Sequence, residues 1–180
     1  LNNLRWNEEP YSTESVTSFI DFDPSITYNT TYQSGLNLVS FPIITENPSL
    51  DNIFSNLSGN INSIISEGSA SSYNQFLGWI GSIEEISPLS GYWLSLSDSD
   101  EIFIDGLPLI DEVIYELHYG ANLISYPFLY DTDILNALPT DSYEYIDGII
   151  GQGVASTYIE PSFSSFDIAR KASVNAVVCQ

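Results

Sequence analysis

Asp98, Asp100, Glu101 and Asp105 put four carboxylates into one short stretch. Hard cations take several oxygen ligands, and Asp-rich turns supply them, so these four are the candidate calcium ligands. They depart from the EF-hand loop: counted from Asp98, the fifth position is Ile102 and the sixth is Phe103 rather than Gly. Asp21 with Asp23, and Asp131 with Asp133, are sparser versions of the pattern. Glu84 and Glu85 offer a carboxylate pair for general acid and base work, as a hydrolase would need. In a chain with 24 Asp and Glu, adjacent carboxylates more often make a solvated turn. Trp79, Tyr92, Trp93 and Tyr73 are the aromatics suited to stacking on a sugar. Neighbours in a strand point to opposite faces, so at least one of Tyr92 and Trp93 belongs to a core.

His118 is the only histidine. A Ser-His-Asp triad would need it as base, but no serine sits in a G-x-S-x-G turn. It reads as a strand-end residue, and together with Cys179 it offers too few ligands for zinc. No cofactor is required on this reading, and Ca2+ is the one candidate. Asn29-Thr30-Thr31 and Asn56-Leu57-Ser58 match the glycosylation sequon.

The acidic residues face only three basic ones, Arg5, Arg170 and Lys171, for a net charge of −21. Such a chain repels phosphate backbones and anionic membrane surfaces, which excludes nucleic acid as a partner. No apolar run approaches the roughly 18–20 residues of a membrane span, so insertion is not expected. Hydrophobic residues make up 43% of the chain, enough for a core, and disorder would need low hydrophobicity as well as high charge. Its 180 residues suit one large domain or two small ones. The start, LNNLRWNEEP, has no apolar signal region, and a chain that begins with Leu and lacks Met reads as a mature form or a fragment.

The scaffold that must position these residues repeats. Gly35 to Ile43 reads GLNLVSFPI and Gly120 to Phe128 reads GANLISYPF, an offset of 120 − 35 = 85 residues. Ile64 to Tyr73, IISEGSASSY, recurs at the same offset as Ile149 to Tyr158, IIGQGVASTY. Leu50 and Ile53 recur as Leu135 and Leu138. One register over three segments indicates an internal duplication. The pattern then fades: Ser164 stands where Trp79 should recur, and Ala176-Val177-Val178 where Gly91-Tyr92-Trp93 should.

β-branched and aromatic content predicts strands at 16–22, 26–32, 61–65 and 76–81. Residues 26–32 and 35–42 are expected to form a hairpin around Gly35. Residues 91–97 are expected to pair with 101–105 across Asp98-Ser99-Asp100. Apolar residues at 50, 53, 54 and 57 predict a helix of two to three turns with Ser49 as N-cap and a stop at 58–60. Residues 83–86 read as a helical turn or loop. A strand at 113–119 opens the second copy, and its helix recurs at 134–139. The expected fold is mainly β, with antiparallel hairpins, one short helix per module and tandem duplication. Residues 1–25 read as a leader or the tail of a preceding unit, 26–110 as module one, and 111–180 as module two, incomplete or divergent at its C-terminus.

GLNLVSFP, the amphipathic helix, IISEGSAS, GWIGSIE, SGYWLSL and IFIDG, in that order and spacing, resemble a module of large secreted and surface proteins, especially of marine bacteria. In that family a GxNLISFP strand opens the unit and a GYW strand closes it. The resemblance covers about residues 26–106, then 113–158. It implies an extracellular, non-catalytic repeat module of a longer polypeptide, and it carries no catalytic or ligand residue over. The leading expectation is a structural or adhesion-type module at the cell surface, partnered by other repeat modules or surface proteins. The second is a carbohydrate-binding module with glycans as partners, and the third a carboxylate-pair hydrolase.

Overall fold

The computed structural model describes residues 25–57, 59–109, 113–130, 137, 138, 142, 145–157 and 176–179. In chain order the strands are β1 (Ile26–Tyr32), β2 (Gly35–Val39), β3 (Ile43–Ile44), β4 (Ile61–Ser66), β5 (Ser69–Asn74), β6 (Gly78–Gly81), β7 (Tyr92–Leu96), β8 (Asp100–Pro108), β9 (Asn122–Ser125), β10 (Gly148–Gly151), β11 (Val154–Thr157) and β12 (Ala176–Cys179). The fold is mainly β and antiparallel. Among the described residues the strands form three sheets, ordered β1-β8-β3, β2-β7-β4-β5-β6 and β11-β10-β12-β9.

The first two sheets share one apolar core. Alternation selects its members: Tyr92, Leu94 and Leu96 are the buried residues of β7, and Ile102 and Ile104 those of β8. They meet Val39, Phe41, Ile43, Ile61 and Ile64 in one cluster. Phe41 makes ring contacts with both Phe54 and Tyr92, its centroid 5.8 Å from each.

Two expected hairpins are absent, and the core explains why. β1 pairs with β8, whereas β2 pairs with β7, so the chain crosses between sheets at Gln33 and Ser34. β7 already has β2 and β4 on its two edges, so β8 cannot pair with it and joins β1 and β3 instead. Each turn moves the chain to the other side of the core, so consecutive strands present their apolar faces to each other. Hairpins do form where both strands stay in one sheet, at β4–β5, β5–β6 and β10–β11.

The first crossing is held by a side chain. Asn37 is buried; its Oδ1 accepts the Gln33 N–H at 2.9 Å, and its Nδ2 donates to the carbonyls of Gln33 at 2.8 Å and Gly35 at 3.2 Å. Gly35 takes a φ of 94°, a region that glycine enters without steric cost. Asn122 makes the same three bonds, to His118 N–H and to the carbonyls of His118 and Gly120, beside a Gly120 φ of 104°.

The helix is shorter than its apolar spacing suggests. α1 (Leu50–Ile53) gives way to a 3₁₀ turn at Ser55–Leu57. Ser49 caps with its carbonyl rather than its side chain, accepting Asn52 and Ile53 N–H, and its backbone bridges Glu85. Placement of Leu50, Ile53, Phe54 and Leu57 in the core overrides helix propensity, as it commonly does in short helices. Residues 83–86 form a loop whose Ile83 and Ile86 are buried, and 113–119 forms no strand with described residues. The expected strand at 16–22 and most of the second helix lie outside the described residues.

The four-stranded sheet has the order of the five-stranded one. Leu123 opposes Val178 as Leu38 opposes Trp93, Ile149 opposes Cys179 as Ile64 opposes Leu94, and Ile150 opposes Ala155 as Ile65 opposes Ala70. β12 thus takes the place of β7, although Ala176-Val177-Val178 shares no residue with Gly91-Tyr92-Trp93.

Asn37→Ala should remove about 2 kcal/mol of stability in urea unfolding, because it deletes a buried amide and the three hydrogen bonds it makes to the Gln33–Gly35 backbone. A loss under about 0.5 kcal/mol would show that the crossing does not depend on the side chain.

Candidate functional site: the seam between the two large sheets

β2 and β9 are edge strands of their sheets, each with backbone groups that its own sheet leaves open. Each is met by the opposite half. Gln152 Oε1 accepts the Leu38 N–H at 2.7 Å, and its Nε2 lies 3.5 Å from the Leu36 carbonyl. Glu67 Oε2 accepts the Leu123 N–H at 3.0 Å. Glu67 sits in the turn between β4 and β5 and Gln152 in the turn between β10 and β11, 85 residues apart, as are Leu38 and Leu123. The two contacts are reciprocal.

Further bonds close the seam. Ser40 Oγ donates to the Tyr126 carbonyl, and Ser125 Oγ to that of Pro88. Gly91 N–H donates to Leu123 O, and Ser125 N–H to Leu89 O. Gly91 allows that approach, since a Cβ there would lie 2.6 Å from the Ile124 carbonyl oxygen. β12 lies against β2 as β7 lies against β9.

Glu67 also binds His118. Its Oε1 meets His118 Nε2, while His118 Nδ1 lies 3.0 Å from the Tyr119 carbonyl. Both ring nitrogens face oxygen acceptors, which suits the imidazolium with its two N–H donors. The hydrogen bond to Glu67, then the one to Tyr119, raises His118 above its ordinary 6.5. The bond from His118, then that from the Leu123 amide, lowers Glu67 below its ordinary 4.5.

The residues singled out from the sequence lie elsewhere. Tyr73 and Trp79 oppose each other on β5 and β6 with ring centroids 5.4 Å apart, and Trp79 also packs on Phe54. Tyr92 is 2% exposed, and its hydroxyl accepts the Ser87 N–H. Trp93 is half-buried on the other face of β7. The four aromatics therefore do not make one platform, because the core occupies Tyr92. Of the calcium candidates, Asp98 is exposed at the β7–β8 turn and Glu101 is exposed on β8. Asp100 accepts bonds from Asn60 Nδ2 and Glu101 N–H, and Asp105 from Thr27 Oγ1. Among the described residues no three His, Cys, Asp or Glu group together as metal ligands. Glu84 and Glu85 are exposed in the loop beside α1, where the Glu84 carbonyl accepts the Leu50 N–H. Asp21, Asp23, Asp131 and Asp133 lie outside the described residues.

Sequence reasoning passed over Glu67 and Gln152, though both sit inside the matched IISEGSAS and IIGQGVAS segments. The usable signal was a pair of hydrogen-bonding side chains at equivalent turn positions, each beside a glycine. Comparison with protein-family models, curated proteins and solved structures finds no match.

The shifts at Glu67 and His118 set a pH window. The Glu67 contribution is present above 4.5 and is lost as pH falls through its lowered folded value. The His118 contribution is present below 6.5 and is lost as pH rises through its raised folded value. The difference in melting temperature between the native chain and His118→Ala should therefore be largest between these two values and shrink on either side. A difference that does not vary with pH would contradict the pairing.

Proposed function

We propose that the chain is a tandem duplication with an 85-residue period. On this reading it is a non-catalytic, extracellular structural or adhesion-type repeat module of a larger surface or secreted protein. The observation that carries the reading is the reciprocal seam, in which Gln152 serves Leu38 while Glu67 serves Leu123. A contact in which i meets j and the equivalent of j meets the equivalent of i is the isologous interface of a two-fold dimer. A chain holding two copies of one unit forms such an interface within itself. The offset shared by GLNLVSFP, IISEGSAS and the strand registers supports the same origin.

The structural role draws support from how polar side chains are used. Asn37, Asn122, Glu67 and Gln152 all bind backbone groups and hold strands in place. The net charge of −21 favours a solvated surface that avoids nucleic acid and anionic lipid. The resemblance of GLNLVSFP and SGYWLSL to modules of marine bacterial surface proteins supports the extracellular setting. Other repeat modules or surface proteins are then the partners.

An antibody raised against the whole chain should label intact cells of the organism that makes it, and external protease should remove the label. Label that appears only after lysis would contradict the surface assignment. On a glycan array the chain is expected to bind nothing. Binding that disappears in Trp79→Ala would instead assign it as a carbohydrate-binding module.

A further inference from the structure

We propose that the seam surface of the first half is self-complementary, so that a chain whose seam is open takes a second copy of this chain, first half against first half. The proposal rests on the duplication reading and gives its adhesion role a homophilic partner. The native seam shows what the first half supplies. Glu67 Oε2 accepts the Leu123 N–H, and the Gly91 N–H donates to the Leu123 carbonyl. The Leu89 carbonyl accepts the Ser125 N–H, and the Pro88 carbonyl accepts the Ser125 hydroxyl. Between them Ser90 bridges Ile124.

The first half also holds the residues that receive such contacts. Leu38, Val39 and Ser40 stand 85 residues before Leu123, Ile124 and Ser125, and only the middle one differs in type. Their backbone is set in the same way, because Asn37 bonds the Gln33 and Gly35 backbone as Asn122 bonds that of His118 and Gly120. β2 is an edge strand like β9. In a pair of first halves, Leu38 of one copy therefore meets Glu67 and Gly91 of the other, and Ser40 meets Pro88 and Leu89. A two-fold axis makes each contact twice. Gln33 stands where His118 does and brings amide N–H donors to Glu67.

Gly91 distinguishes the two halves. A Cβ there would lie 2.6 Å from the Ile124 carbonyl oxygen and 2.9 Å from Leu123 Cδ1, and its three nearest atoms all belong to the second half. The missing side chain thus serves the seam and not the packing of the first half. At the equivalent position the second half has Ala176, which carries a Cβ. The close approach is a property of the first half, and two first halves make it on both sides of the axis.

The first half presents this surface from a core of its own. The cluster that runs from Tyr32 to Ile104, with Ile26, Tyr28, Tyr73 and Trp79 packed on it, draws nothing from the second half. In the native chain the second half is tethered beside that surface and takes it first, at a local concentration far above that of a separate molecule. Homophilic pairing is the state of the opened chain. Nine carboxylates and no Lys or Arg fall between positions 25 and 109, so salt should tighten the pair.

The test is the full chain carrying Leu123→Pro and Ser125→Lys, which alter only the second half's side of the seam. Proline removes the N–H that Glu67 accepts, on an edge strand where proline is tolerated. Lysine overfills the place of Ser125, which is 1% exposed. In about 0.5 M salt, where charge repulsion is screened, this opened chain should sediment at twice the mass of the native monomer. Adding Gly91→Val should return it to monomer. Amide exchange at Leu38 gives a second reading. In the opened chain it should speed up about tenfold with Glu67→Ala and should no longer respond to Gln152→Ala. An opened chain that stays monomeric, a dimer that survives Gly91→Val, or fast exchange at Ile64 and Leu94 in the opened chain would each overturn the proposal. The duplication reading survives any of these if, in the native chain, Leu38 follows Gln152→Ala and Leu123 follows Glu67→Ala. Without that native pattern both fall.

Discussion

A backbone N–H at the edge of a sheet needs an acceptor that its own sheet cannot supply. At Leu38 and Leu123 that need is met across the seam by Gln152 and Glu67. The consequences run through the molecule. The two open edges are closed without continuing one sheet into the other. The halves are held at a fixed relative placement by side-chain bonds, with the Gly91 backbone pressed close to Ile124. Because the acceptors sit on tight turns beside Gly68 and Gly153, both at positive φ, their positions are set by turn geometry rather than by flexible loops.

The second constraint is the strand crossing at Asn37. A chain whose consecutive strands belong to different sheets must turn through a corner where ladder bonds are interrupted. The buried amide of Asn37 supplies three of them. With the corner in place, β1 and β2 approach the core from opposite sides, and alternation in β7 and β8 fills it with Leu94, Leu96, Ile102 and Ile104. Lys and Arg number three in the whole chain, so burial and hydrogen bonds rather than ion pairs hold the fold.

Strand content and the position of β1 were legible because Ile26–Tyr32 alternates and is rich in Thr and Tyr. Partner choice was not. Gly35 and Asp98-Ser99-Asp100 are good hairpin turns by local chemistry, yet both join strands of different sheets, because pairing is decided by which edges remain open and which face the core needs. Helix length was overstated at 50–57 because apolar spacing reports a buried face and says little about where the backbone tightens. β12 escaped notice because a strand position needs β-forming residues, which Val177 and Val178 are, and need not retain a Tyr-Trp signature. Of the candidate chemistry, spacing grouped Tyr92 with Trp93 and Asp100 with Asp105. The pleat sends the first pair to opposite faces, and neighbouring polar groups engage the second.

The central claim is that the seam is reciprocal, and amide exchange at Leu38 and Leu123 tests it most directly. In Gln152→Ala, Leu38 should exchange about tenfold faster with Leu123 unchanged, and in Glu67→Ala the effect should fall on Leu123 with Leu38 unchanged. A Leu38 amide indifferent to Gln152→Ala, or both amides responding alike to either substitution, would contradict the account.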